Sequence, residues 1–454
     1  MAHDVVDSQV SFGTDRPVRQ PLVDEGRIRS MLDACVQCGR CLPSCPTYRV
    51  LEQEADSPRG RVWLMRTLWD DRVSPLTIGV DAESVEAHLR LCLDCRACET
   101  ACPSDVEFSK LLDISKQRLE AERPPAVRVR LIRFLVLRHV FIRPRVLAAA
   151  AWLVHRTRPL ATPLIARLAR RSAAAGRISG LLDLVPMRSP SSDEPPQLIP
   201  AQGTHRANVA LFTGCVMRAA FSRTNAATAR VLSRNGIEVR VPTEQRCCGA
   251  LHDHNGDHEG ARDLARRNIT VLNAAEHDAI VVNAAGCGAH LKSYGWLLRD
   301  DPIWAERAEA FASSVKDAAE YLAAVGLTAL PGRLDIRVAY QDPCHLLHAQ
   351  RIRSQPRVLL RAIPGLQSVS VGEPELCCGS AGSYNVTHPE VAIQLRTRKV
   401  TNVIRTGATV VVTANPGCLI QIEAGLRAEH SDVSVTHLMD LLDSAYERNE
   451  GVAR

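Results

Sequence analysis

Sixteen cysteines are the residues in this chain whose type and spacing point most directly to chemistry. Cys35, Cys38, Cys41 and Cys45 run into Pro46, and Cys92, Cys95, Cys98 and Cys102 run into Pro103. Both runs have the spacing C-x2-C-x2-C-x3-C-P. Three thiolates three residues apart on a tight loop can each take a different iron of one cubane, while the fourth points away to a second cluster. The expected ligand sets are therefore crossed: Cys35, Cys38 and Cys41 with Cys102, and Cys92, Cys95 and Cys98 with Cys45, for two [4Fe–4S] clusters. Structural zinc is the competing chemistry, but it pairs one C-x2-C with a remote pair and does not set three thiols in a row.

The other eight cysteines form a duplicated pattern. RANVALFTGC at Cys215 parallels IRVAYQDPC at Cys344, CCGA at Cys247 and Cys248 parallels CCGS at Cys377 and Cys378, and AIVVNAAGC at Cys287 parallels TVVVTANPGC at Cys418. The offsets are 129, 130 and 131 residues, so a whole framework is repeated. Each repeat offers four soft ligands from separate loops, which suits an iron–sulfur cluster or zinc. The expectation is one or two further clusters, or one zinc. The glycines of CCG and GCG are read as letting the backbone approach a bulky cofactor. His254, His290, His345 and His348 lie near these cysteines as possible ligands or hydrogen-bond donors, or as ordinary loop and core histidines.

The elements that must position these thiols follow from periodicity and composition. Residues 1–21 are read as a disordered lead. Residues 22–122 are read as helical, as in SVEAHLRLC and SKLLDISKQRLEAE around the second run, so an α-helical ferredoxin domain is expected there. Residues 123–185 are read as arginine-rich amphipathic helices, and 186–206, rich in Pro and Ser, as a linker. The repeats at 207–332 and 333–446 alternate short β-branched runs with helical stretches such as EGARDLARRNITVLNAAE. Each half is thus an α/β unit with cysteines at the carboxyl ends of strands, where ligands sit in open α/β sheets.

Charge is unevenly spread. Between Arg123 and Leu182 stand 13 arginines with no aspartate, glutamate or lysine, so the rest of the chain is net acidic although the total is +6. The longest charge-free apolar run there, Val146 to Val154, is far short of the roughly 20 residues of a membrane span. Residues 123–182 are therefore read as a surface for anionic membrane or for a partner subunit. The opening MAHDVVDSQV has no basic start and no long apolar core, which reads as a cytoplasmic chain, peripheral on the inner face of the cell membrane. Thiols in that compartment stay reduced and free to bind metal.

Several function classes drop out. No G-x-G-x-x-G follows a strand and no G-x-x-x-x-G-K-S/T occurs, so neither a dinucleotide nor a nucleoside triphosphate is expected. Aromatics at 4% and the lack of a reading motif argue against nucleic acid. Hydride chemistry needs a flavin or nicotinamide. No catalytic residue is assigned, and the dehydrogenase centre is expected on another polypeptide. A thiol–disulfide reductase working at a CCG site is the alternative from a different class.

With these residues in view, the chain resembles the glycolate oxidase iron–sulfur subunit family. The resemblance rests on the two ferredoxin-type runs, SPRGR at Ser57 to Arg61, SYGWLL, DPCHLLHAQ, CCGSAGSYNVTHPE and NPGCLIQ, and it spans about residues 22–445. It implies an α-helical ferredoxin domain followed by a duplicated α/β CCG domain. It also implies FAD-containing dehydrogenase partners that oxidise glycolate to glyoxylate, with electrons leaving toward a quinone or membrane acceptor. A relay subunit of a lactate or glycerol-3-phosphate dehydrogenase is the alternative to glycolate. More distantly, the repeats are similar to the CCG domains of heterodisulfide reductase, whose five-cysteine form ends in C-x-x-C. Here that final position is His290 in CGAH and Gln421 in CLIQ, which argues against a five-cysteine, non-cubane cluster.

Overall fold

The computed structural model describes residues 24–69, 81–141 and 193–452, with 143, 146–154, 156, 157, 165 and 182 between them. The lead at 1–21 and most of 158–192 lie outside the described residues. Residues 24–122 form a bundle of short helices. Glu25–Asp33 and Ala82–Arg90 start at aspartate caps, Asp24 accepting from the Arg27 amide and Asp81 from that of Ser84. Pro58–Trp69 and Phe108–Glu122 supply the long faces, and Val62, Met65, Leu89, Leu111 and Leu112 close the core between them. The cysteine runs lie between these helices; a short helix, Pro46–Leu51, follows the first, and another, Ala97–Ala101, falls within the second and carries Cys98.

Beyond residue 197 the chain builds two parallel sheets. The first comprises β1 (Leu198–Ile199), β2 (Ala207–Phe212), β3 (Ile237–Arg240), β4 (Ala279–Val282) and β5 (Val315–Asp317) in the order β1-β3-β2-β4-β5. The second comprises β6 (Arg337–Tyr340), β7 (Gln367–Val369), β8 (Val410–Thr413) and β9 (Ser434–His437) in the order β7-β6-β8-β9. With β1 set aside the two orders are the same, so the sequence repeat is also a structural one. Runs such as AIVV and VVVT are apolar almost throughout because helices cover both faces of a parallel sheet. Only β1 is antiparallel, pairing Leu198 with Arg240 and Ile199 with Val239. The stretch read as linker thus contributes an edge strand, one that Pro200 ends at once.

The two repeats do not stand apart. One buried cluster takes Val209, Leu211 and Val239 from the first and Val338, Val412 and Leu442 from the second. The last helix, Leu438–Val452, crosses back onto Ser222–Arg234, where Arg234 reaches Asp443 at 2.6 Å and Glu450 at 2.7 Å. The arginine-rich segment begins as Val127–Leu135, a helix with no buried residue, and widens into a π-helical stretch at Val136–Phe141. Among the described residues no helix is long and apolar enough to cross a membrane.

Candidate functional site

In the helical domain a cavity is lined by Cys92, Cys95, Cys98 and, from the other run, Cys45. The loop over it turns through two left-handed residues, Asp94 and Arg96. Cys45 is held from below by the SPRGR segment. Its sulfur lies 3.2 Å from Thr47 Oγ1, which donates to the Asp56 carbonyl at 2.9 Å and accepts from Arg61 Nη1 at 2.9 Å. Arg61 is fully buried, paired with Asp56 at 3.2 Å and donating to the His88 carbonyl at 2.8 Å. The other set lies nearer the surface: Cys38 is exposed, and Cys35, Cys41 and, from the second run, Cys102 are partly buried. Burial pushes Cys92, Cys95 and Cys98 above the ordinary thiol range and Cys41 up to about 11. Sulfurs this reluctant to ionise alone are the kind a metal cation deprotonates on binding.

In the repeats the cysteine loops gather at the carboxyl ends of the strands. Cys215 and Cys344 follow the central strands β2 and β6, and Cys287 and Cys418 follow β4 and β8 on one side. The paired cysteines follow β3 and β7 on the other. The connections reverse direction at this point, which is where a doubly wound sheet opens a crevice. The four sulfurs of each repeat form a string. Cys215 lies 3.4 Å from Cys247, and Cys248 bonds Cys287; Cys344 lies 3.8 Å from Cys377, and Cys378 lies 3.4 Å from Cys418. Hydrogen bonds from two neighbouring thiols hold Cys247, and in the second repeat Cys378, below the ordinary thiol range. The neighbours are pushed up in turn. Four soft donors in a string, three buried and one, Cys287 or Cys344, partly buried, fit an iron–sulfur cluster.

Gly249 (φ +93°) and Gly379 (φ +86°) take a left-handed turn, and an added Cβ would meet the next helix, at Ala261 and at Ala392, and at Gly249 also His290 Nε2. Their lack of a side chain lets a helix pack on each loop.

The four histidines divide. His345 Nε2 donates to the Asp94 carbonyl at 3.0 Å. His348 Nδ1 meets Thr100 Oγ1 at 3.0 Å, and its Nε2 meets the Glu375 carbonyl at 3.3 Å. Both therefore fasten the second repeat to the second cysteine run. His254 is half-exposed, 3.9 Å from Asp94. His290 is buried, its Nε2 has no protein partner, and burial draws its pKa down to about 4. Gln421 accepts from Asn385 Nδ2 at 3.2 Å and donates to the Ala392 carbonyl at 3.3 Å, so its amide is already engaged.

Two residues near the thiols escape any motif. His252, fully buried, follows the paired cysteines of the first repeat and bonds Asp257 through Nδ1 at 2.8 Å. Lys399, also fully buried, donates to the carbonyls of Glu373 and Pro374 at 2.7 and 3.3 Å, and its charge helps hold Cys378 down. The two halves meet through the second run: Cys95 and Cys377 share one buried apolar cluster with Leu93, Leu376 and Tyr384, with Cys344 at its edge.

Comparison with known proteins agrees with this division. Residues 31–106 match the model of a 4Fe-4S dicluster domain, and residues 209–292 and 338–423 each match that of a cysteine-rich domain, CCG. The chain is 36% identical to the probable glycolate oxidase iron-sulfur subunit of Bacillus subtilis (strain 168), covering 92% of this chain and 94% of that one. It is 35% identical to the glycolate oxidase iron-sulfur subunit of Escherichia coli (strain K12), covering 92% and 95%. It is 31% identical to lactate utilization protein A of an Exiguobacterium species (strain ATCC BAA-1283 / AT1b), over 54% of this chain and 98% of that one.

Proposed function

The chain belongs to the glycolate oxidase iron–sulfur subunit family, and on that premise we propose that it relays electrons from a FAD-containing dehydrogenase subunit toward quinone or another membrane acceptor. The partner's substrate in this reading is glycolate, with lactate as the other 2-hydroxy acid that the relatives suggest. Iron–sulfur clusters, when bound, supply single-electron acceptance and release. The chain's own part is to hold its thiol sets in sequence. In this reading Cys35, Cys38, Cys41 and Cys102 take one [4Fe–4S] cluster, and Cys92, Cys95, Cys98 and Cys45 the other. The two CCG sets, Cys215, Cys247, Cys248 and Cys287, then Cys344, Cys377, Cys378 and Cys418, take further clusters or, in one repeat, zinc.

The observation that carries the reading is the shared packing of Cys95, Cys344 and Cys377, which brings thiols of the second run and of the second repeat into one apolar cluster. The exposed Cys38 at the far end gives a partner access to the first run. Residues 123–182 supply the proposed anionic-membrane surface. Val127, Leu131, Ile132, Phe134 and Leu135 stand exposed there with Arg128 and Arg130 beside them, as on a helix lying at a lipid interface. Arg133 and Arg138 are engaged elsewhere, with Glu120 at 2.9 Å and Asp257 at 2.5 Å.

Co-purification of the chain with its partners, followed by flavin analysis and a panel of 2-hydroxy acids, tests the reading. It predicts flavin on the partner and turnover with glycolate or a close relative. Flavin-free turnover by the isolated chain would overturn it.

A further inference from the structure

The two repeats share strand order and sulfur spacing, yet what stands beside the sulfurs differs. The offsets that align the cysteines, 130 at the pair and 131 at the last one, set His252 against Gly382 and His290 against Gln421. The second repeat therefore has a glycine and an engaged amide where the first has two imidazoles.

Both imidazoles are buried, 0% exposed for His252 and 7% for His290, and the Nε2 atom of each has no hydrogen-bond partner. Leaving a buried polar atom so is costly, and native proteins keep few of them without a reason. The surroundings show where these two point. His252 is fixed through Nδ1 by Asp257, which Arg138 holds in turn. A carboxylate on one ring nitrogen is the usual way to orient the other toward a metal. His290 Nε2 lies 3.3 Å from where a Cβ on Gly249 would stand, directly after Cys248. Both rings are within electrostatic reach of Cys247.

We infer that His252 and His290 present their Nε2 atoms to the first-repeat centre, making it a mixed sulfur–nitrogen site, while the second-repeat centre has sulfur donors alone. The inference rests on the proposal that these cysteines hold a metal centre. Each nitrogen bonds the metal or donates its N–H to a metal-bound sulfur. Either way a neutral donor adds no negative charge, so the first centre takes an electron more readily than a site with thiolates alone, as imidazole-for-thiolate exchange does in other iron–sulfur centres.

The test uses the full chain with its centres loaded, grown with 15N-histidine and unlabelled, alongside His252→Gln, His290→Gln and the double variant. Cys287→Ser identifies the first-repeat signal. Pulsed EPR on that signal is expected to show histidine-nitrogen couplings that weaken in each single variant and vanish in the double, large for a bond and small for a hydrogen bond. Redox titration is expected to move this signal to lower potential in both variants and leave the others in place. If the repeat holds zinc, X-ray absorption should find nitrogen at about 2.0–2.1 Å, lost with the variants. A fully loaded first centre with no histidine coupling, or with sulfur scatterers only, overturns the inference and leaves the cysteine assignment standing. No metal in the wild-type first repeat would overturn the cysteine assignment itself.

Discussion

Lys399 shows how one side chain can make two similar centres differ. Ala261 and Ala392 pack against Gly249 and Gly379 in the same way, which sets Asn268 of the first repeat in register with Lys399 of the second. Asn268 donates to the Cys247 carbonyl, whereas Lys399 brings an ammonium into the core beside Cys377 and Cys378. A buried cation next to metal-bound sulfur favours the reduced, more negative state, so Lys399→Asn should lower the potential of the second-repeat centre and leave the first unmoved in a redox titration. Arg61 makes a companion case. Removing it leaves the buried Asp56 carboxylate with the His88 ring, at 3.0 Å, in place of a guanidinium, and breaking a buried pair in this way costs up to about 3–5 kcal/mol. Arg61→Met should therefore lower the melting temperature and release iron first from the set that includes Cys45. The cysteines were legible because metal ligation imposes spacing on the chain, and SPRGR was legible as a motif. His252 and Lys399 were not, because what marks them is burial and the partners they have or lack, which no local pattern records.

At the scale of elements, period and punctuation marked the strands that lead into Cys215, Cys287, Cys344 and Cys418 and helices such as His258–Leu272, and the departures have physical causes. Leu198 and Ile199 sit among Pro and Ser that read as linker, yet β3 has an open edge and two apolar residues are enough to pair with it. The arginine segment reads as amphipathic helices forming a surface for anionic membrane or for a partner. The described part turns Arg133 and Arg138 inward to Glu120 and Asp257 and leaves Ile132 and Phe134 outside. Changing Arg133 or Arg138 would thus disturb the fold as well as any surface. The cleaner test is Ile132→Gln with Phe134→Gln, which should weaken sedimentation with anionic vesicles and leave the melting temperature unchanged. Binding by that variant equal to the parent's would make the helix a protein contact instead.

In the molecule as a whole, the last helix and β9 lock one repeat onto the other. His437 is buried at this joint, where Nε2 donates to the Asn283 carbonyl at 2.8 Å and Nδ1 accepts from the Met439 amide at 3.1 Å. Burial lowers its pKa to about 4 from the ordinary 6.5. Between those values the unfolded chain binds a proton that the folded chain refuses, so stability rises with pH across the window. The contribution, about 3 kcal/mol, is present above about pH 6.5 and lost as pH falls toward 4. His437→Gln, which keeps a donor for Asn283, should flatten that part of a melting-temperature profile. The same joint keeps both repeats in one body, His345 and His348 fasten the second repeat to the helical domain, and the relay depends on that continuity. Rapid-freeze EPR of the loaded chain mixed with its flavoprotein partner and glycolate tests this most directly. Reduced iron–sulfur signals are predicted only when both are present, and with Cys45→Ser the signal assigned to the Cys92, Cys95 and Cys98 set should be the one disturbed. Reduction of the chain by glycolate without flavin, or a reduced flavin beside clusters that stay oxidised, would contradict the account.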